Sequence, residues 1–310
     1  MDNISDDVRW IWENSVRSSK QLFFSDSLEE VLREQDSKRN TIETFRMAVK
    51  CLALDYDGTI SPLDVSRSKS RVPKKTLSVL QQISGFIPIV IVTTKDLSFV
   101  VPRTPFACAW SAIGGLETRI GQCVRRKQGL EGKFEHVSIA LEYAKSHATG
   151  NGVEIEEKSD VSKRPLAFCV DWRRARNAKA AVKEIEEVAN YCEALGLELV
   201  RHRQQPFFDV CPQPFDKGEA LKEVLKELRV EDGVLYVGDS ATDNTAFEAS
   251  DVSLGVIHKE NSEQILACNY FVTFEKVFSF LSVLLANGLL FDSDFPMIQT
   301  NAKKVGGSNA

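Results

Sequence analysis

The stretch "CLALDYDGTI", residues 51–60, decides how this chain is read. Cys51–Leu54 is an apolar run of strand length, and Gly58 marks its end. In extended backbone, residues i and i+2 point the same way. Asp55 and Asp57 therefore converge on one site while Tyr56 points elsewhere. Two close carboxylates repel each other unless a cation or a shared proton lies between them. The pair fits a metal-assisted acid–base site at a strand end. It fits a polar turn equally well, because Asp and Gly both favour turns, so the remainder of the chain must choose.

Outward from this strand, apolar runs alternate with amphipathic helices. A helix is expected around Lys74–Ile83, with strands in "FIPIVIVTT" and "FACAWSAI". The rhythm resumes downstream with a helix over Lys217–Leu228, a strand in "GVLYVGD", a short helix near Thr245, and strands in "VSLGVI" and "YFVTF". Such alternation predicts an α/β fold, a Rossmann-like parallel sheet with helices on both faces. Between the two halves the pattern changes. "VEIEEKS" and "LAFCVDWR" alternate apolar and polar, a helix follows over Asn177–Leu195, and "LELVRHRQQPFFDV" supplies two more strands. This antiparallel pattern predicts an inserted α+β cap over residues 122–212, between core segments 49–121 and 213–290. Residues 1–48 read as an N-terminal helical extension. Val8, Ile11, Trp12 and Val16 recur at helical spacing, and Ser27 with Glu30 has the form of a capping box. Residues 291–310 read as a disordered tail.

Composition bounds the function. The chain has 310 residues, 43% of them hydrophobic, and a net charge of −5. That mild acidity argues against nucleic acid or an anionic membrane as partner. No apolar run approaches the ~20 residues of a membrane helix, and the acidic start lacks a signal-peptide layout. Seven scattered cysteines without a Cys-x-x-Cys pair fit a reducing compartment, so the cytoplasm is expected. The aspartates do not open an EF-hand, since Ile60 and Ser66 stand where Gly and Glu are needed. Glycine-rich phosphate and dinucleotide loops are missing too. His136, His147, His202 and His258 lack metal-ligand spacing and read as surface or packing residues. The basic run "DWRRAR" reads as a cap lining or a solvated face.

Strand-end chemistry recurs at three further places. Thr93 ends "FIPIVIVT", Lys217 opens a helix in "FDKGEAL", and Asp239 and Asp243 follow a strand in "LYVGDSATDN". Ligands of open parallel sheets bind beyond the carboxyl ends of the strands, so these positions can meet. Singly, Thr93 is an ordinary strand residue and each aspartate an ordinary turn or cap residue. Lys217 is more informative, because a cation in a helix's first turn opposes the macrodipole and calls for a nearby anion.

Taken jointly and in order, "DYDGT", Thr93, Lys217 and "GDSATD" resemble the four motifs of the haloacid dehalogenase (HAD) superfamily, across residues 51 to 275. "LDYDGTISPL", "DKGEAL" and "GDSATDNTAF" look most like the trehalose-6-phosphate phosphatases. The resemblance implies the HAD fold and a magnesium-dependent sugar-phosphate phosphatase acting on a small phosphorylated sugar. It gives Asp55 the nucleophile's role, Asp57 that of acid and base, and Thr93 and Lys217 the phosphate. Mg2+ would be held by Asp55, the Asp57 backbone carbonyl and Asp239, with Asp243 in support. In the cap, Glu156, Lys158 and Asp209 match residues that grip sugar hydroxyls, although alternating charges on a strand ordinarily form a solvated face. The chain departs from the family pattern at several points. Ser240 and Asn244 stand where acids are usual, "IVTTKD" replaces Ser-Gly-Arg, Asp209 and Cys211 replace Glu and Arg, and "VDWR" replaces His-Tyr-Arg. Other readings are a phosphatase for another phosphoglycoside of the mannosyl-3-phosphoglycerate kind, a phosphosugar mutase, and a catalytically silent module that keeps the fold.

Overall fold

The computed structural model describes residues 44–63, 65–148, 152–176, 178–202, 206–258 and 265–301. Its strands are β1 (Arg46–Ala48), β2 (Cys51–Leu54), β3 (Ile89–Val92), β4 (Ala109–Ala112), β5 (Glu117–Ile120), β6 (Cys123–Arg126), β7 (Glu154–Ser159) and β8 (Pro165–Asp171). They continue with β9 (Glu198–Arg201), β10 (Phe207–Cys211), β11 (Val234–Gly238), β12 (Val252–Ile257), β13 (Tyr270–Thr273), β14 (Leu290–Asp292) and β15 (Gln299–Thr300). The α-helices are α1 (Lys74–Ile83), α2 (Leu97–Val100), α3 (Phe134–His147), α4 (Ala178–Ala194), α5 (Lys217–Leu228), α6 (Asn244–Glu248) and α7 (Val277–Ala286).

The main sheet runs β15-β13-β12-β11-β2-β3-β4-β5-β6, parallel from β13 to β4. Strands β2, β3, β4 and β11 are buried along their whole length, as strands covered on both faces must be. Their alternation sorts them between two cores. Leu52, Leu54, Ile89 and Ile91 face α1 and α7, packing with Leu80, Phe280 and Leu284. Cys51, Ala53, Val90 and Val92 face α5, packing with Leu221 and Val224. Because β3 and β11 flank β2, the chain leaves the sheet in opposite directions on either side of it. That arrangement opens a crevice beyond the carboxyl end of β2.

The second sheet, β7-β8-β10-β9, is antiparallel. Helices α3 and α4 cover one face, where Phe168, Val170, Phe208 and Val210 meet Val137, Leu141 and Val188. Cross-strand register puts Glu156, Cys169 and Asp209 in one row on the opposite face, with Lys158 two residues along from Glu156.

Three expectations change. The boundary at 122 falls in a hairpin turn, because β6 pairs with β5 and extends the main sheet. Of the expected helical extension, residues 1–43 lie outside the described residues, and Arg46–Ala48 is a strand paired with β14. The tail is ordered as far as residue 301. Phe291 is fully buried among Phe45, Tyr270, Phe280 and Phe295, and Asn301 donates to the carbonyls of Leu266 and Cys268. Residues 302–310 lie outside the described residues.

Phe291→Ala should therefore cost about 3–5 kcal/mol of stability, as for other buried phenylalanines. A urea unfolding curve measures it, and a midpoint unchanged from the parent would mean that the tail adds nothing to the core.

Candidate active site

Strand order determines which side chains meet. Thr93, Asp55, Asp239 and His258 each directly follow a strand, β3, β2, β11 and β12, and these four strands are neighbours. Asp55 is buried, and its backbone N–H donates to the Val237 carbonyl at 2.9 Å, extending the β2–β11 ladder by one residue. Gly58 turns the chain with φ +72°, and a Cβ there would lie 2.2 Å from Asp239 Oδ2. Only glycine lets the turn come this close to the carboxylate.

Lys217 enters from the start of α5, whose N-cap Asp216 accepts from the N–H groups of Gly218 and Glu219. Its ammonium lies 3.0 Å from Asp55 Oδ1 and 2.7 Å from Asp243 Oδ1, with only 2% of the side chain exposed. Asp243 has its acceptor positions filled. Tyr236 donates to Oδ1 at 2.6 Å, while the Asp239 N–H, the Ser240 N–H and the Ser240 hydroxyl reach Oδ2 at 3.2, 2.9 and 3.0 Å. His258 Nε2 lies 3.0 Å from Asp239 Oδ2.

The carboxylates of Asp55, Asp239 and Asp243 can each bring an oxygen within 4.8 Å of the others. Burial pushes the Asp55 carboxyl well above its usual range; Lys217 opposes the rise, while Asp243 and Asp239 add to it. Asp239 is pushed up to about 6, chiefly by burial, against the hydrogen bond from His258. Burial alone would lower the Lys217 pKa, but Asp243 and Asp55 outweigh it and raise it. Lysine and histidine thus leave the three acids under-compensated. An all-oxygen set of this kind suits a hard divalent cation, and the residues present fit one.

Asp57 stands apart from that group. Its carboxylate is 3.4 Å from Lys95 Nζ and accepts from Ser70 Oγ at 3.4 Å, and it remains partly exposed. Thr93 is buried, and its hydroxyl accepts the Lys95 N–H at 3.2 Å.

The cap residues differ from a solvated face. Lys158 and Asp209 form a buried ion pair, their side chains 4% and 3% exposed, and His202 Nε2 is 2.9 Å from the other Asp209 oxygen. Burial would raise the Asp209 pKa, but Lys158 and His202 hold it far below the carboxylate range. Glu156 points to the core instead and meets Lys95 and Arg67.

Three of these residues escaped the sequence reading. His258 and His202 are not merely surface or packing residues, since each pairs with a buried aspartate. For His258 the available signal was its place directly after "VSLGVI". Lys95 has the same kind of signal, two residues beyond Thr93. The run "DWRRAR" is a solvated face, with exposed Arg173 and Arg174 paired to Asp171 and Glu154.

Buried carboxylates and a lysine at the carboxyl end of a parallel sheet, with an antiparallel cap sheet beside them, are the arrangement that the resemblance to the haloacid dehalogenase superfamily implies. A sequence profile of the trehalose-phosphatase family matches residues 53–273, and the chain belongs to that family. It is a phosphomonoester hydrolase by family. Among solved structures, a trehalose-6-phosphate phosphatase related protein superposes with TM-score 0.64 at 19% identity, over 77% of this chain and 98% of its own. The C-terminal domain of Candida albicans trehalose-6-phosphate phosphatase gives 0.61 at 16%, over 78% and 94%. A sugar phosphatase of HAD subclass IIB gives 0.53 at 14%, over 78% and 100%. At these identities the superpositions speak for the fold alone. No curated protein sequence matches the chain.

The buried cap pair gives a test. Lys158→Met leaves the buried Asp209 charge with His202 as its remaining partner and should cost about 3 kcal/mol in urea unfolding. Adding Asp209→Leu should recover most of that loss. A double variant as unstable as the single would show that the pair is not the source.

Proposed function

We propose that this protein is a magnesium-dependent phosphatase of a sugar phosphate, trehalose-6-phosphate or a related phosphorylated sugar, acting through an aspartyl-phosphate on Asp55. The observation that carries the reading is the contact of Lys217 with Asp55 at 3.0 Å, beside the buried oxygens of Asp239 and Asp243. Asp55 attacks phosphorus, forming one P–O bond as the bond to the sugar oxygen breaks. Asp57 gives its proton to that departing oxygen. In the second half Asp57 takes a proton from water, whose oxygen displaces Asp55 from phosphorus and restores both carboxyl groups. Lys217 and the Thr93 hydroxyl hold phosphate oxygens, and Lys217 offsets charge in the transition state.

The Asp55 carboxylate, the Asp57 backbone carbonyl and Asp239 would hold Mg2+, with Asp243 positioning the set through Lys217 and the Asp239 N–H. Bound there, the cation supplies charge neutralisation between an anionic nucleophile and an anionic phosphate. In the cap, Glu156 is the candidate for a sugar hydroxyl, while Lys158 and Asp209 act within their buried pair to shape that face. No helix among the described residues is long and apolar enough to cross a membrane. All seven cysteines are unpaired, which supports the cytoplasm as the proposed location.

Phosphate release from a panel of phosphorylated sugars, with and without a bisphosphate activator, tests the substrate. Trehalose-6-phosphate or a near relative should be preferred. A better phosphoglycerate glycoside, or dependence on the bisphosphate, would favour the other phosphatase or the mutase. Asp55→Asn should fold normally and lose at least ~1,000-fold in kcat on the best substrate, as when other enzymes lose a nucleophile. A loss within tenfold would remove Asp55 from the role.

Exhaustive chelation should abolish turnover and Mg2+ should restore it. Ca2+ should support it poorly, because it takes more ligands at longer distances. Full activity in excess chelator would overturn the metal reading.

A further inference from the structure

Beside the apolar packing of Leu166, Ala167 and Cys211 on the core, two polar joins among the described residues link the cap to the core. Near the chain crossing after β6, Arg126 reaches Asp160 in the β7–β8 turn at 2.9 Å, and the Val161 N–H donates to Glu117 at 3.2 Å. The second join stands over the site. Glu156 of β7 receives Lys95 on both oxygens, at 3.0 and 3.1 Å, and Arg67 at 2.5 Å. Arg67 is itself fixed to the core. Its other nitrogen pairs with Asp96, the buried N-cap of α2, and its guanidinium lies 4.4 Å from the Phe99 ring centre.

Lys95 differs from an ordinary surface cation in two ways. Its side chain is only 16% exposed, and the same ammonium that holds Glu156 lies 3.4 Å from Asp57 Oδ2. Its backbone N–H is meanwhile spent on the Thr93 hydroxyl, so its base is fixed by the strand end that carries the phosphate ligand. One side chain thus contacts the cap's Glu156 and the proposed acid–base carboxylate together. Removing the cap from this position would strip Lys95 of Glu156 and leave its ammonium free to turn away from Asp57.

We propose that Lys95 is a positioning residue that ties closure of the cap to placement of the Asp57 carboxylate, with Arg67 fastening Glu156 to the core. The proposal rests on the reading of Asp57 as acid and base. The join near Arg126 then serves as the hinge, and the join at Glu156 as the clasp.

A double-mutant cycle tests this on two readouts. Hydrogen–deuterium exchange across residues 154–159 and 66–71 reports the clasp without requiring turnover. Lys95→Met and Glu156→Gln should each speed exchange in both segments, by roughly fivefold or more, the worth of a lost charge-assisted hydrogen bond. The double variant should be no faster than the faster single, and Lys95→Arg should stay near the parent. In turnover of trehalose-6-phosphate, Lys95→Met should lower kcat roughly tenfold to a hundredfold with KM nearly unchanged, and Lys95→Arg should recover most of it. Unchanged exchange in Lys95→Met, or effects that simply add in the double variant, would overturn the proposal. So would a fall in KM terms alone. A parent protein that releases no phosphate from any substrate, yet shows the non-additive exchange, would defeat the phosphatase reading and leave the clasp supported.

Discussion

The Lys217 ammonium lies between Asp55 and Asp243 with almost no contact with water. Three carboxylates gathered at the carboxyl end of a parallel sheet could not share that space without a cation among them. A lysine at a helix start is a poor arrangement for the helix, whose macrodipole it opposes. It is tolerated here because α5 delivers the charge directly to two acids. That delivery requires α5 to approach α6 closely, and Gly218 permits it: a Cβ there would lie 2.3 Å from the Thr245 carbonyl oxygen. Gly58 and Gly238 make similar room for Asp239 and Asp243. The glycines beside the charged residues are thus part of the same electrostatic arrangement, which explains why glycine and charge recur together in the motifs.

Much of the fold was legible because apolar periodicity is local. The bounds of α1 and α5 coincide with those read from sequence, whereas Asp55, Lys217, Asp239 and Asp243 could be named together only from the joint order of motifs that resembles the superfamily. What escaped was set by distant partners. Strand β14 is three residues long, and its order comes from pairing with β1 across more than two hundred residues of chain. The pairing of His258 with Asp239 and of His202 with Asp209 depends on neighbouring strands, and a single histidine carries no period. The alternation of Glu156 and Lys158 identified a shared face correctly. It could not say that the face is buried, because burial depends on what stands opposite.

That face divides its charges in two. Lys158 turns inward to Asp209 and His202, so its charge is satisfied within the cap sheet. Glu156, two residues earlier on the same face, makes its ion pairs with Lys95 and Arg67 of the core. Buried pairs of the first kind add little net stability over apolar packing but fix geometry, since either partner left alone is costly. Pairs of the second kind can be made and broken with modest change in free energy when solvent reaches them. One strand therefore combines a rigid shape with a releasable contact, as a cap must if it is to cover a substrate and then let it go.

The departures from the family pattern in the fourth motif follow from the same charge balance. Where acids are usual, Ser240 and Asn244 stand, and both are fully employed as neutral partners. Ser240 caps the turn by donating to Asp243. Asn244 accepts from the Ala267 N–H at 2.8 Å and donates to the Ile265 carbonyl at 3.1 Å, fastening the segment after β12 to the start of α6. A carboxylate at 244 could accept the first of these bonds but would repel the carbonyl of the second. A carboxylate at 240 would lie against Asp243, whose acceptor positions are already filled, and would add a fourth acid to a site compensated by one lysine and one histidine. These two positions keep the site's geometry without adding to the negative charge that Asp55, Asp239 and Asp243 already place beside Lys217 and His258.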